Sequence, residues 1–228
     1  MRGFGAALVV LVCVAQLDRG QTAKENHERP DSSTRMVIIL EALRGSTWAA
    51  VDPGLVLHQK DRVRFRFKSN FNGYLYVSDR GTSGSYDLLY PGPQTGLDNR
   101  ILAGHEYLIP SVNTRFRVAG PPGRDVVYWL VSPLKLPDAS TSSLSLHAEE
   151  QPALQMSPRC DDALFQARGE CIDSGAGPRP NQTRELLPDG SSDAAPNLVF
   201  SRQEDMAVVS AAQPLKGPVV YEFYLAHE

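Results

Sequence analysis

The 228-residue sequence contains no apolar run of the roughly 18 residues that a membrane-spanning helix needs. Charge of one sign is also missing. Lys and Arg number 23 against 26 Asp and Glu, leaving −3 and a pI near 6.0, far from the basic footprint of bulk nucleic-acid binders. The five histidines, at 27, 58, 105, 147 and 227, fit neither His-Glu-x-x-His nor another metal-ligand spacing, and no Gly-rich phosphate loop is present. No metal and no cofactor is therefore expected. Cysteine is scarce, with three residues in all.

What is abundant points to a β protein. Gly and Pro number 18 and 17, above the average share of about 12%, beside 42% hydrophobic residues. That composition excludes collagen, coiled coil and wholesale disorder, and the length allows one large domain, or one domain with a substantial extra segment.

Arg2 followed by an apolar run over residues 4–14 has the length of a signal-peptide core, and Cys13-Val14-Ala15 is a small-x-small cleavage pattern. Residues 1–15 are thus expected to be a signal peptide, so that the protein is exported, periplasmic or extracellular, with no transmembrane segment after cleavage. Cleavage removes Cys13 and leaves Cys160 and Cys171, which are expected to pair in an oxidising compartment, for about 3 kcal/mol in the chain-entropy account. Residues 16–34 are polar and lack periodicity, as in a flexible leader.

Strand patterns then begin. Residues 36–43 (MVIILEAL) are aliphatic, and residues 61–68 (DRVRFRFK) alternate, with Val63, Phe65 and Phe67 on one face and Arg62, Arg64, Arg66 and Lys68 on the other. Asn72-Gly73 before Tyr74-Leu75-Tyr76-Val77 predicts a β-hairpin. A two-residue loop would put Tyr74 and Tyr76 beside the phenylalanines. A five-residue loop over 69–73 instead joins Leu75 and Val77 to the phenylalanines and sets the tyrosines beside the cations, and it is favoured because it keeps aliphatic residues together. Further strands are expected at 87–90, 106–109, 114–118 and 125–132.

Residues 137–196 differ in kind, with 7 Pro, 8 Ser, and ten acids against four arginines. They read as an acidic, mainly irregular insertion. One helix is plausible within it, with Ser157 as N-cap, Pro158 at its first position and Gly169 beyond its end. A helix through 160–168 would advance about 12 Å, too far for a bridge whose Cα atoms must lie within about 4.4–6.8 Å. Either the helix is shorter or the thiols are free. Strands return at 197–200, 206–210 and 219–225, the last expected to pair back into the first sheet.

Residues 64–77 (RFRFKSNFNGYLYV), 88–91 (LLYP), 104–110 (GHEYLIP), 120–123 (GPPG) and 131–134 (VSPL) together resemble the bacterial domain of unknown function numbered 4384. The likeness runs over about residues 55–136, with the closing VVYEFYLAHE similar to that family's final strand. It implies a β domain, often exported or joined to signalling or protease-like modules, with no established activity, and it carries over no catalytic residues.

Chemistry in the sequence is thin. Gly81-Thr82-Ser83-Gly84 resembles the loop of a chymotrypsin-type nucleophile, but Ser83 comes too early in the chain, and a glycine-serine loop is expected. Asp79 and Asp87 form a conceivable carboxylate pair that only geometry can test. The constellation that carries a hypothesis is cationic and aromatic: Arg62, Arg64, Arg66, Lys68, Arg115 and Arg117 with Tyr74 and Tyr76, a surface for acidic polymers or acidic protein segments. A solvated face paired with acids across strands would look the same, and so would a face covered by the acidic insertion.

The expectation is an all-β protein, an antiparallel β-sandwich made of a core at 35–136 and closing strands at 197–228, with a long acidic insertion before those strands. Its expected function is that of a non-catalytic interaction module for an unknown protein or acidic envelope polymer, not for nucleic acid. A structural or accessory subunit of a bacterial envelope assembly is the alternative, and an unrecognised hydrolase the third.

Overall fold

Alternation in β3 (Arg62–Ser69) puts Val63, Phe65 and Phe67 into the interior, each essentially without solvent contact, and this strand anchors the first of two antiparallel sheets. The computed structural model describes residues 33–92, 98–111, 114–136, 157–181 and 197–228. The expected signal peptide, and the leader as far as residue 32, lie outside the described residues, as do 137–156 and 182–196 of the insertion.

The first sheet has the order β11 (Val199–Gln203), β12 (Met206–Ala211), β1 (Thr34–Arg44), β3, β7 (Glu106–Ile109), with β2 (Thr47–Val51) on β1 and β8 (Phe116–Arg117) on β3. The second runs β10 (Gly177–Pro180), β13 (Val219–His227), β9 (Gly123–Ser132), β4 (Gly73–Arg80), β5 (Tyr86–Tyr90), with β6 (Arg100–Ile101) on β4. The two sheets enclose one apolar core as a β-sandwich. Trp129 sits at its centre, with ring centroids 5.3 Å from Phe65, 5.6 Å from Phe67 and 6.2 Å from Tyr221. Among the described residues no helix is long and apolar enough to cross a membrane.

The second sheet is buried on both faces, which explains the near-continuous apolar character of β9 and β13. Its outer face carries Tyr76, Tyr128, Leu130, Val220 and Tyr224, covered by Leu136, Cys171 and Ala176. Cys171 and Ala176 of that cover come from the insertion. Val56 N–H donates to the Cys171 carbonyl at 2.8 Å, Asp173 N–H to the Gly54 carbonyl at 2.8 Å, and β10 extends the sheet beyond β13.

Several expectations need correction. β3 and β4 form no hairpin, because the chain crosses from one sheet to the other between them. Leu75 and Val77 do share the core with Val63, Phe65 and Phe67, but from the facing sheet. Gly73 serves close approach to a neighbouring strand: a Cβ there would stand 2.5 Å from the Ser132 carbonyl oxygen. The closing strand lies between β9 and β10 in the second sheet, while β11 and β12 join the first. Over 157–181 the insertion is mainly irregular, with one four-residue helix and the four-residue β10, and it contributes Cys171 and Ala176 to the second apolar cluster. Cys160 and Cys171 are bridged with their Cα atoms 4.8 Å apart. The helix is the shorter of the alternatives, α1 (Ala163–Gln166), and its N-cap is Asp162 in place of Ser157, its carboxylate accepting from the Leu164 and Phe165 N–H groups.

Candidate functional site

The cations of β3 face away from the core, opposite an acid on the neighbouring strand. Glu41 of β1 is the register partner of Arg64 and is 2% exposed. Its carboxylate accepts from Arg64 Nε at 2.6 Å and from the Arg66 guanidinium. Arg66 also lies 3.7 Å from Glu106, and the Arg64 guanidinium stacks 4.3 Å over the Trp48 ring. The central pair of the expected basic face is thus neutralised within the protein. Glu41 was legible in outline, since it alternates with the inward residues Met36, Ile38, Leu40 and Ala42 and so had to face outward among the cations.

The remaining candidates divide. Arg62 is exposed and sits directly opposite Arg117 of β8, and neither makes an ion pair with a described residue. Arg115, just before β8, is exposed close by. Lys68 is exposed, with Glu106 as its register partner. Tyr74 and Tyr76 belong to the other sheet, with Tyr76 buried against Tyr128 and Tyr224, so the expected cationic and aromatic surface is not assembled. The described part of the insertion covers the outer face of the second sheet and leaves the arginine face alone.

A cleft of about 440 Å³ opens between the β8 segment and the edge formed by β4 and β5. Its β4–β5 wall bears a row of acids. Asp79 is the register partner of Asp87 on one side and of Val127 on the other, and Asp125 lies two residues before Val127 on the same face. Asp125 Oδ1 accepts from the Thr82 N–H at 2.7 Å and lies 3.1 Å from Nε2 of His227, which is fully buried. His58, 3.2 Å from Glu228, and His105 are exposed, and His27 and His147 lie outside the described residues.

Burial, aided by the charges of Asp125 and Asp87, pushes the Asp79 carboxyl well above the usual carboxylate range, against the opposing backbone hydrogen bond at Arg80. A group whose folded pKa is raised contributes its stability in full below the unfolded value near 3.8 and loses it as pH rises through the folded value. Asp79→Asn should therefore melt at a higher temperature than the wild type at pH 8, with the gap closing towards pH 4. A gap independent of pH would show that Asp79 is an ordinary ionised residue.

The cleft does not assemble a nucleophile relay. Ser83 Oγ donates to Ser85 Oγ, and Thr82 Oγ1 donates to the Pro121 carbonyl. Thr82 Oγ1 and Asp125 meet the same ring nitrogen of His227, whereas in a relay the nucleophile and the orienting acid meet opposite nitrogens of the histidine that serves as the base. Asp79 and Asp87 stand side by side on one wall, not across the cleft from each other. Among the described residues, no group of three or more His, Cys, Asp or Glu is placed to hold a metal ion.

Residues 56–135 match the family model described as a domain of unknown function (DUF4384). No match was found among curated proteins or solved structures. The matched segment spans β3 to β9 and carries the acid row and Arg115 and Arg117, while Glu41, Asp173 and His227 lie outside it.

Proposed function

From the domain of unknown function carried by residues 56–135, we propose an exported, non-catalytic interaction module that captures an acidic partner through the end of its first sheet at Arg62, Arg115 and Arg117. One observation carries this reading: Arg62 and Arg117 are exposed register partners of like charge with no acid paired to either among the described residues. Like charges directly opposite on a sheet destabilise it. A partner bearing carboxylates or phosphates would relieve the repulsion and gain planar, forked contacts. The contrast with Arg64 and Arg66, whose charges Glu41 already meets, separates a binding end of the strand from a structural middle. Export is supported by the apolar run at residues 4–14 and by the Cys160–Cys171 bridge, which an oxidising compartment maintains.

The test is chromatography of the mature protein on immobilised poly-L-glutamate at low and high salt, beside Arg62→Glu and Arg117→Gln. The wild type should be held at low salt and released at high salt. Arg62→Glu should lose retention while becoming more stable by about 0.2–1 kcal/mol, because it turns a repulsive cross-strand pair into an attractive one. Retention of both variants equal to wild type would overturn the proposal.

A further inference from the structure

We infer that the acidic partner is an extended peptide segment of alternating acidic and apolar residues, added as a strand to the open edge of β8 with its apolar side chains in the cleft between β8 and the β4–β5 edge. This rests on the capture of an acidic partner proposed above, and adds to it the conformation and the residue pattern of that partner.

β8 has an open backbone edge. Val118 N–H donates to the Asp61 carbonyl at 2.9 Å, and the Val118 carbonyl accepts from the Lys60 N–H at 3.0 Å, so Val118 turns its backbone polar groups towards the β3 side. Those groups change side at each residue of an antiparallel strand, so the N–H and C=O of Arg117 point away from β3. Among the described residues β8 pairs with β3 alone, and neither backbone group of Arg117 has a partner. An exposed edge with an unmet donor and acceptor is a template for an added strand.

The side chains beside that edge fix the pattern. A residue bonded to both backbone groups of Arg117 carries its side chain on the face of Arg117, where Arg62 is the next residue across. An acid at that position meets two guanidinium groups that otherwise repel each other. Its neighbours in the peptide turn to the opposite face, into the cleft of about 440 Å³ whose apolar lining includes Leu88, Leu89 and Phe116. Leu88 is 49% exposed, which leaves apolar surface for them to cover. The acids of the peptide thus point out of the cleft, away from Asp79, Asp87 and Asp125 on its far wall. A cationic edge also turns away basic strands, which makes the addition selective.

The measurement is fluorescence anisotropy of labelled acetyl-Val-Glu-Val-Glu-Val-amide titrated with the mature protein at low salt. Saturable binding is expected, about tenfold tighter than that of acetyl-Val-Val-Val-Glu-Glu-amide, which has the same composition and charge but cannot send its valines and glutamates to opposite faces. Methylating the backbone nitrogens of the two glutamates, which face Arg117, should weaken binding by about fivefold or more, whereas methylating that of the central valine, which faces solvent, should cost far less. Leu88→Ser, at an exposed position where folding is not at stake, should weaken binding of the alternating peptide and leave poly-glutamate retention as in the wild type. Equal affinity for the two peptides, equal loss from the two methylations, or wild-type affinity in Leu88→Ser would each overturn the strand addition. If poly-glutamate is retained in those cases, only the strand addition falls; if it is not retained by the wild type, the acidic partner falls with it.

Discussion

Asp173→Ala is expected to lower the unfolding free energy by about 3–5 kcal/mol, the cost of breaking a buried ion pair by removing one partner. The Arg124 guanidinium donates from Nε and from one terminal nitrogen to the two Asp173 oxygens, each at 2.8 Å, with the two side chains 4% and 0% exposed. The same carboxylate accepts from the Gly175 N–H at 2.8 Å and the Arg159 N–H at 3.2 Å. Deleting it strands a guanidinium and two backbone donors at once. Space around the pair is equally constrained, since a Cβ on Gly175 would meet the Arg124 guanidinium at 2.7 Å.

The effect should reach beyond the pair. Arg124 belongs to β9, and Asp173 to the segment that shields Tyr76, Tyr128 and Tyr224, so its loss should loosen that cover and expose the second apolar cluster. Urea unfolding of the mature protein, with dye binding as a probe of exposed apolar surface, measures both. Replacing the two residues together by Met and Leu should cost far less, because no charge is left buried. A loss below about 1 kcal/mol in Asp173→Ala would mean that water reaches the guanidinium.

Period-two patterning made the long strands legible, because one face of each meets the core: the alternation of Val63, Phe65 and Phe67 needs no tertiary knowledge. The strands that escaped detection have little pattern to show. β6 has two residues, β2 is largely exposed, and β10 contains two prolines, which are tolerated there because it is an edge strand paired on one side. Sheet membership was not legible, because Asn72-Gly73 carries a local turn signal while the β3–β4 crossing depends on pairing with β9. The basic face was legible as composition but not as electrostatics, since its outcome turned on Glu41, 23 residues from Arg64. The cleft was least legible. Asp125 lies 43 residues from Thr82 and 102 from His227, and only strand order brings the three together.

Arg64→Glu combined with Arg66→Glu is expected to unfold the first sheet, although in the sequence alone these two positions look like interchangeable members of an exposed cationic row. The double variant removes two charge-assisted hydrogen bonds from Glu41 and places two carboxylates beside a third that is nearly inaccessible to water. Breaking such a buried pair costs about 3–5 kcal/mol before repulsion among the three acids is added, which is a large share of a domain's stability. The stacking of Arg64 on Trp48 is lost as well. Adding Glu41→Gln should recover part of the loss, because the residue at the centre of the cluster is then neutral. Thermal unfolding of the double and triple variants is the readout, beside poly-glutamate retention. The double variant should lose retention together with its fold, whereas Arg62→Glu should lose retention with its fold intact. If the double variant kept the wild-type melting temperature, Glu41 would not be the partner that neutralises this face, and the separation between a structural middle and a binding end of β3 would fall with it.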